Sequence, residues 1–266
     1  MPTTNFRITY INLADSAVLS ASPVATSTMP VTYLQNSDRG DVMLAVAAGT
    51  QAILGNWSGT AYTISHVRLD RTNLADGDTW RIQLYSDAAQ VTQVYDSGTI
   101  AAFTTGLFTQ NGKSWNFTFA ELYLTAQTGV KSFKITVVTA GIFMAARLFM
   151  GAYTQATYNP KYGMANGWGS NHNQVRTDGG SNTAQTKSQW RTLAFDMFLM
   201  NEPDRALWNE IGRYSGKVAS VAISVYPGAG GTLERDFSIL GKFEDSPSYV
   251  INNNNKYDYS LKLNED

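Results

Sequence analysis

Hydrophobic and polar positions alternate every second residue along much of the chain, as they do in half-buried β-strands. The cleanest alternation is in residues 80–85, where Trp80, Ile82 and Leu84 alternate with Arg81, Gln83 and Tyr85. Residues 62–70 alternate less regularly, with one face formed by Ile64, His66, Arg68 and Asp70. The turn-forming residues 73–78 between these two segments predict that they pair as antiparallel strands.

Short apolar runs of this kind recur between clusters of glycine, asparagine, aspartate and serine, and no internal repeat of fixed period is visible. Further strands are predicted within residues 93–95, 115–124, 132–139 and 142–153. Strands of this length and spacing are typical of all-β sandwiches and jelly rolls. We therefore predict a β-sandwich of the jelly-roll type over residues 1–155.

The second half of the chain is organised differently. Residues 156–182 are rich in glycine and asparagine, which predicts an extended loop or a long hairpin. Residues 183–266 return to strand patterns around one helix, predicted near residues 203–214, because Asn201 can cap its N-terminus and Gly216 can end it. The predicted fold class is therefore all-β, a β-sandwich or jelly roll followed by a second β-rich region with one short helix.

The composition restricts what the chain can bind. Its 266 residues include 20 lysines and arginines against 21 acidic residues, so no basic excess is present to attract nucleic acid or anionic lipid. No apolar run approaches the roughly 18 residues of a membrane span, and the N-terminus lacks a signal-peptide pattern. Cysteine is absent, which excludes disulfides and thiolate chemistry. We predict neither nucleic-acid binding nor membrane insertion.

Candidate catalytic residues are few, and their spacing argues against an enzyme. The two histidines, His66 and His172, fall in a predicted strand and in the glycine-rich segment, with no carboxylate spaced to complete a metal site. The G-x-S-x-G turn of serine hydrolases does not occur. Glycoside hydrolysis needs only two carboxylates, but the candidates read as turn or strand-end residues: Asp70, Asp76, Asp78, Asp87 and Asp96. The sequence predicts no catalytic residue, metal or cofactor, and polysaccharide hydrolysis stays a third alternative.

Aromatic residues are the stronger candidates for contacts with a partner. They make up 12% of the chain, whereas charged residues make up only 15%, against about 25% in typical domains. Tyr158, Tyr162 and Trp168 lie in the glycine-rich segment, where exposed rings can stack on a sugar or anchor a neighbouring subunit. The alternative is that these rings pack against their own domain. Trp208 lies beside the apolar stripe of the predicted helix, at a position that can face a partner.

Several stretches of the sequence carry a resemblance to a known class of protein. Three segments resemble tail-associated proteins of long-tailed bacteriophages. They also resemble discoidin or galactose-binding-like jelly rolls. The segments are residues 56–74 (NWSGTAYTISHVRLDRTNL), 79–87 (TWRIQLYSD) and 94–98 (VYDSG). Four segments of the second half follow the same order of elements as tail-tip proteins that carry a long hairpin, one helix and a β return. They are residues 176–180 (RTDGG), 190–195 (WRTLAF), 206–214 (ALWNEIGRY) and 221–227 (VAISVYP). No single residue in these stretches carries a transferable function.

The resemblance implies a structural subunit of a phage tail tip or baseplate, of the distal-tail type, located in the virion tail and assembled in the host cytoplasm. Such a subunit forms a ring with copies of itself, between the tail tube and the host-recognition parts, and contacts other tail proteins. The alternative is a carbohydrate-binding module that contacts a glycan on the host surface. In either case the candidate contacts are Tyr158, Tyr162, Trp168 and Trp208.

Overall fold

The computed structural model describes residues 5–38, 40–104, 106, 109–110, 113–114, 118–161, 163–171, 173–176, 178, 180, 182–185, 188–252 and 256–266. The strands are β1 Arg7–Thr9, β2 Val18–Ser22, β3 Met43–Asn56, β4 Tyr62–Thr72, β5 Thr79–Tyr85, β6 Gln93–Asp96, β7 Ile100–Ala101, β8 Thr109–Gln110, β9 Lys113–Ser114, β10 Thr118–Val130, β11 Ser132–Ala145, β12 Arg147–Gly151, β13 Thr154–Gln155, β14 Ala165–Ser170, β15 Asn173–Arg176, β16 Asn182–Gln185, β17 Gln189–Met200, β18 Val221–Ser224, β19 Ser238–Phe243, β20 Tyr249–Ile251 and β21 Tyr257–Glu265. The helices are α1 Glu202–Ser215 and α2 Gly231–Asp236, with short 3₁₀ turns at Leu13–Ser16 and Val31–Gln35. The predicted all-β class is confirmed.

The first half of the chain folds into a sandwich of two antiparallel sheets. A 6-stranded sheet has the order β2-β3-β11-β5-β6 with β7 beside β5, and a 3-stranded sheet has the order β10-β4-β12. The inward side chains of both sheets form one apolar core, which includes Val67, Leu69, Trp80, Ile135 and Leu148. Because successive residues of a strand point to opposite faces, the other side chains of the 3-stranded sheet point away from this core.

The predicted pairing of residues 62–70 with residues 80–85 is wrong. These segments form β4 and β5, which lie in opposite sheets of the sandwich; β4 pairs with β10 and β12, and β5 pairs with β11 and β6. The turn between them crosses from one sheet to the other. Alternation identifies a strand and its buried face, but it does not identify the neighbouring strand.

The second half of the chain forms an 8-stranded sheet with the order β13-β1-β18-β19-β21-β17-β14 and β20 beside β21. One face of this sheet packs with α1 into a second apolar core, which includes Phe195, Met197, Trp208 and Ile211. The other face meets the outward side of the 3-stranded sheet, where Phe149, Ala222 and Leu240 form a small apolar cluster. The molecule is therefore layered as sheet, sheet, sheet and helix.

The first strand of the chain belongs to the second half, which differs from the predicted boundary of 1–155. In β1, Arg7 and Ile8 pair with Ser224 and Ile223 of β18. This pairing joins residues more than 200 positions apart, and a short apolar run does not specify so distant a partner. Residues 10–12 then cross to the sandwich past Gly151, where an added Cβ would lie 2.5 Å from the carbonyl oxygen of Ile11.

The glycine-rich residues 156–182 contain paired strands. Ser170 of β14 lies opposite Gln189 of β17, and Arg176 of β15 lies opposite Asn182 of β16. In the 8-stranded sheet, β14 is an edge strand.

The helix α1 starts and ends at residues that carry capping signals. The Asn201 side chain accepts a hydrogen bond from the backbone N–H of Asp204 at 3.0 Å, and the Gly216 N–H donates to the carbonyl of Gly212 at 2.9 Å. Gly216 has φ of 49°, a left-handed conformation that glycine adopts without a steric penalty. The short helix α2 is not predicted by the sequence patterns.

Candidate functional site

Two of the four aromatic candidates lie on the surface of the described structure. Tyr158 is 51% exposed, and Trp168, on the edge strand β14, is 57% exposed. Tyr162 lies outside the described residues. Neither Tyr158 nor Trp168 lines the groove that the structure reveals elsewhere.

The expectation that Trp208 faces a partner is wrong. Its side chain is 0% exposed and stacks on Phe6, with ring centroids 5.9 Å apart and an interplanar angle of 4°. Tyr259 packs against the same ring at 5.9 Å. The position lies off the central apolar stripe of α1, but β1 and its preceding residue Phe6 cover that side of the helix. Trp208 is therefore a core residue.

A groove of about 520 Å³ lies where the sandwich meets the second half of the chain. One side is formed by the two 3₁₀ turns and β12, and the other by the end of α1 and the segment that follows it. The lining combines amides, an ion pair and two phenol rings: Tyr10, Asn12, Asp15, Gln35, Arg147 and Tyr214. The volume of the groove falls within the range of about 300–1,000 Å³ that is usual for ligand pockets.

The charged part of the groove is a hydrogen-bonded cluster of three side chains. Arg147 Nη2 donates to Asp15 Oδ2 at 2.8 Å, and the Asn12 amide donates to Asp15 Oδ1 at 2.8 Å. Asn12 Oδ1 also accepts from the backbone N–H of Met150 at 2.9 Å, so the cluster is fixed to β12. The Asp15 side chain is still 42% exposed. The carboxylate is thus held in one orientation while part of it faces solvent.

Gln35 holds the first 3₁₀ turn in place. Its Nε2 donates to the carbonyls of Ala14 and Ala17, both at 2.7 Å. These bonds hold the end of the turn, where the Ala14 carbonyl also accepts from the backbone N–H of Ala17 at 3.1 Å. Arg147 and Asn12 therefore hold the side chain of Asp15, and Gln35 holds the backbone of its turn.

Two tyrosines form the side of the groove nearest α1. The Tyr10 and Tyr214 rings meet edge to face, with centroids 5.9 Å apart. The Tyr10 hydroxyl donates to Glu210 Oε1 at 3.0 Å, which anchors Tyr10 to the helix. Tyr214 is 50% exposed, so a large part of its ring is available for contact.

The groove has no net charge from its described lining residues, because Asp15 and Arg147 offset each other. Burial raises the pKa of the Asp15 carboxyl, and the contact with Arg147 offsets part of that rise. Burial and the neighbouring Glu210 raise the pKa of the Tyr10 phenol, which keeps its hydroxyl protonated and donating. The groove thus offers both donors and acceptors to a ligand.

A buried charged cluster joins the 3-stranded sheet of the sandwich to the 8-stranded sheet. Arg68 on β4 donates to Asp70 Oδ1 at 2.9 and 2.6 Å and to Ser238 Oγ at 2.7 Å. Ser238, on β19, donates in turn to Glu121 Oε2 on β10 at 2.7 Å. Arg68 Nη1 and His66 Nε2 lie 3.3 and 3.0 Å from Glu121 Oε1. These bonds fix the 8-stranded sheet against the sandwich.

The protonation states in this cluster follow from burial and charge. Burial alone would raise the pKa of Glu121, but Arg68 and His66 hold it at about 2. Burial lowers the pKa of His66 from 6.5; the contact with Glu121 offsets part of this change, whereas Arg68 and Arg7 lower the pKa further. Near neutral pH, His66 is therefore neutral and donates its Nε2 proton to the Glu121 carboxylate.

Replacing His66 by glutamine is expected to flatten the dependence of folding stability on pH below 6.5. The lowered pKa means that the unfolded state binds a proton before the folded state does, so the contribution of His66 is present above pH 6.5 and declines as pH falls. The slope from one such group is at most about 1.4 kcal/mol per pH unit. Urea unfolding of the native protein and His66→Gln, from neutral pH to about pH 5, measures the difference in slope.

The comparison isolates one histidine. His172 is present in both proteins, so its titration cancels. The contribution from the depressed pKa of Glu121 declines only below 4.5, which separates the two groups. Equal slopes in the two proteins would show that His66 does not titrate on unfolding in this range.

The described residues contain no group of three or more histidine, aspartate or glutamate side chains arranged to hold a metal ion. Across those same residues, no helix has the length and apolar character needed to cross a membrane.

No protein-family model matches the chain, and no curated protein matches it in sequence. Solved structures of carbohydrate-binding modules are similar to about half of it. Chitosan-binding module 1 from the chitosanase/glucanase of Paenibacillus sp. IK-5 has 17% identity over 53% of this chain and 99% of that module, with a TM-score of 0.38. A fucose-binding module of Streptococcus pneumoniae has 12% identity over 53% and 95%, with a TM-score of 0.39.

The module CBM32 of AlyQ, solved in complex with 4,5-unsaturated mannuronic acid, has 19% identity over 53% of this chain and 95% of the module, with a TM-score of 0.35. At these identities no ligand-contacting residue is transferred from the modules to this chain. None of the three is a phage tail protein, and the tail-tip assignment stays a prediction.

Proposed function

We propose that this protein binds a neutral saccharide in the groove between its two halves, without hydrolysing it. The observation that carries the proposal is the fixed Asn12–Asp15–Arg147 cluster, which faces a groove that also holds the exposed ring of Tyr214. A sugar presents hydroxyl groups that both donate and accept, together with apolar ring faces. Fixed planar polar side chains beside an aromatic ring match both features.

The charge of the groove supports a neutral ligand. Asp15 and Arg147 are paired with each other, so an anionic ligand would gain attraction from the guanidinium and lose it to the carboxylate. Ligand hydroxyls can bond to the exposed part of the Asp15 carboxylate without disturbing the pair.

The proposal that the ligand is not hydrolysed rests on the number of carboxylates. Glycosidases place two carboxyl groups about 5–10 Å apart across the scissile bond. Among the described lining residues of the groove, Asp15 is the carboxylate. A second group for acid–base catalysis is not supplied by this lining.

Replacing Tyr214 by alanine is expected to weaken saccharide binding about three- to tenfold, because an aromatic contact contributes roughly 0.5–1.5 kcal/mol. The ligand is first selected from a panel of neutral and acidic oligosaccharides on an array. Isothermal titration calorimetry with the selected neutral oligosaccharide then measures the dissociation constant of each variant.

Tyr158→Ala is the matched control, because Tyr158 is 51% exposed and Tyr214 is 50% exposed. Only the loss at Tyr214 is expected to change the affinity. Weakening by Tyr158→Ala alone would place the sugar at the glycine-rich segment instead. Failure of every oligosaccharide to bind, or release of a shortened product, would contradict the proposal.

A second candidate is a subunit of a larger assembly, such as the phage tail tip that the sequence resembles. The observation that favours it is the edge strand β14, which carries the exposed Trp168 and has neither proline nor charged residues. Edge strands without such protection are prone to pair with another chain. Electron microscopy of phage particles labelled with an antibody to this chain tests the assignment, and labelling absent from tails would reject it.

A further inference from the structure

We propose that Asp15 determines the specificity of the groove by selecting saccharides with two unsubstituted hydroxyl groups on adjacent ring carbons, one bound by each oxygen of its carboxylate. This selectivity rests on the saccharide binding proposed above and narrows it to one class of sugar.

The Asp15 carboxylate retains hydrogen-bonding capacity after its contacts within the protein are counted. An ionised carboxylate has about four lone-pair sites on its two oxygens. From the described residues, Oδ1 accepts from the Asn12 amide and Oδ2 accepts from Arg147 Nη2, both at 2.8 Å. The side chain is 42% exposed and lines the groove. One acceptor site therefore remains on each oxygen for a ligand.

The protein donors around this carboxylate are largely used. The Asn12 amide nitrogen donates to Asp15 and also to the carbonyl of Leu148 at 3.0 Å. Gln35 Nε2 donates to backbone carbonyls of the neighbouring turn. Arg147 Nη2 donates to Asp15, and the Nε and Nη1 atoms of Arg147 are buried from solvent. Around Asp15 the groove therefore presents mostly acceptors, and a ligand group that binds there has to donate.

This requirement selects hydroxyl groups. A hydroxyl donates a hydrogen bond, whereas a carboxylate or an ether oxygen only accepts. A negative charge on the ligand would also be repelled by the ionised Asp15. The ligand groups that fit this part of the groove are therefore unsubstituted hydroxyls of a neutral sugar.

The geometry of the carboxylate favours two hydroxyls on adjacent carbons. The two oxygens of Asp15 are bonded to one carbon atom, so they lie side by side in one plane. Hydroxyl groups on adjacent carbons of a sugar ring also lie side by side unless both are axial, and they can reach both oxygens at once. A single hydroxyl, or two hydroxyls on distant carbons, would leave one oxygen without a ligand donor.

The carboxylate is held in one orientation by the protein itself. Asn12 Oδ1 accepts from the backbone N–H of Met150 at 2.9 Å, which fixes the amide that contacts Asp15. Arg147 holds the other oxygen. A group that is already ordered loses little further conformational freedom on binding. Asp15 therefore does not turn to follow a hydroxyl placed elsewhere, and this rigidity makes the selection strict.

The first test removes ligand hydroxyl groups one at a time. The probes are the neutral oligosaccharide selected on the array and its monodeoxy analogues, each lacking one hydroxyl, titrated into the full-length chain by isothermal titration calorimetry. Two analogues, altered on adjacent carbons, are expected to bind about ten- to a hundredfold more weakly than the parent, because hydrogen bonds to charged groups are among the stronger ones. The remaining analogues are expected to lose less.

The second test assigns the two sensitive hydroxyls to Asp15. Asp15→Asn replaces one carboxylate oxygen by an amide nitrogen, which cannot accept, and removes the charge. Loss of either hydroxyl is then expected to weaken binding only about fivefold, because hydrogen bonds between neutral groups are weaker. Glu244→Gln is the matched control: Glu244 is 41% exposed and paired with Lys262, but it lies outside the described lining of the groove. This control is expected to behave like the native chain.

Far-ultraviolet circular dichroism establishes that each variant is folded, and the analogue series on the native chain needs no substitution. Three results would each overturn the selection by Asp15 while leaving saccharide binding in the groove intact. They are analogues that all bind like the parent, sensitive hydroxyls on non-adjacent carbons, and a sensitivity that Asp15→Asn leaves unchanged. Failure of every oligosaccharide on the array to bind would overturn both proposals.

Discussion

Replacing Arg68 by methionine is expected to lower the free energy of unfolding by about 3–5 kcal/mol. Arg68 is 0% exposed and is hydrogen-bonded to Asp70 and Ser238. Methionine retains part of the apolar stem but removes the cation, which leaves the carboxylates of Asp70 and Glu121 buried without their main partner. Equilibrium urea unfolding, followed by tryptophan fluorescence, measures the loss.

Two comparisons separate this effect from a simple packing defect. Combining Arg68→Met with Asp70→Leu and Glu121→Leu is expected to recover much of the loss, because apolar residues can replace a buried ionic group at little cost. Arg81→Met removes the partner of Asp96, but the Arg81 side chain is 42% exposed, so a much smaller change is expected. A loss at Arg68 no larger than that at Arg81 would show that the cluster does not stabilise the folded state.

The charged cluster lies between two sheets, and the position of one sheet relative to the other depends on it. Glu121 and Arg68 belong to the 3-stranded sheet of the sandwich, whereas Ser238 belongs to the 8-stranded sheet. One side of the groove comes from the sandwich and the other from the end of α1, which packs on the 8-stranded sheet. The buried cluster therefore fixes the relative position of the two groove walls. The proposed saccharide binding and the stability of the fold are expected to be coupled through it.

The alternation in residues 62–70 shows which features of this strand the sequence can predict. It places His66, Arg68 and Asp70 on one face of a strand, and in the structure these side chains do turn away from the sandwich core that holds Val67 and Leu69. A polar face is normally read as the solvent face. Here the 8-stranded sheet covers it, and the partner of Arg68 is Ser238, 170 positions away. The sequence around Arg68 therefore contains no indication that this face is buried.

The groove could not be predicted for a related reason. Its lining comes from the N-terminal segment, the two 3₁₀ turns, β12 and the end of α1, which are distant in the chain. One local signal exists, since Arg147 is a charged residue in the otherwise apolar residues 141–152. Its partner Asp15 is 132 positions away. Composition directed attention to exposed aromatics, whereas the groove contains mostly amides, hydroxyls and one ion pair.

Replacing Trp208 by alanine is expected to lower the free energy of unfolding by about 3–5 kcal/mol, because it removes a large side chain from a packed core. The ring of Trp208 contacts Phe6 and Tyr259, which belong to the core under α1, so the cavity would lie between the helix and its sheet. Urea unfolding at neutral pH, followed by far-ultraviolet circular dichroism, measures the loss without relying on the fluorescence of the residue removed.

Trp168→Ala is the matched control, because Trp168 is 57% exposed and Trp208 is 0% exposed. Substitutions at exposed positions usually change stability by less than about 0.5 kcal/mol. The same variants also test the groove wall. Tyr214 lies on α1 and lines the groove, so loosening α1 by Trp208→Ala is expected to weaken the proposed saccharide binding along with stability. If Trp208→Ala destabilised the protein no more than Trp168→Ala, the packing of α1 on the sheet through this ring would be refuted, and with it the rigid groove wall on which the proposed saccharide binding depends.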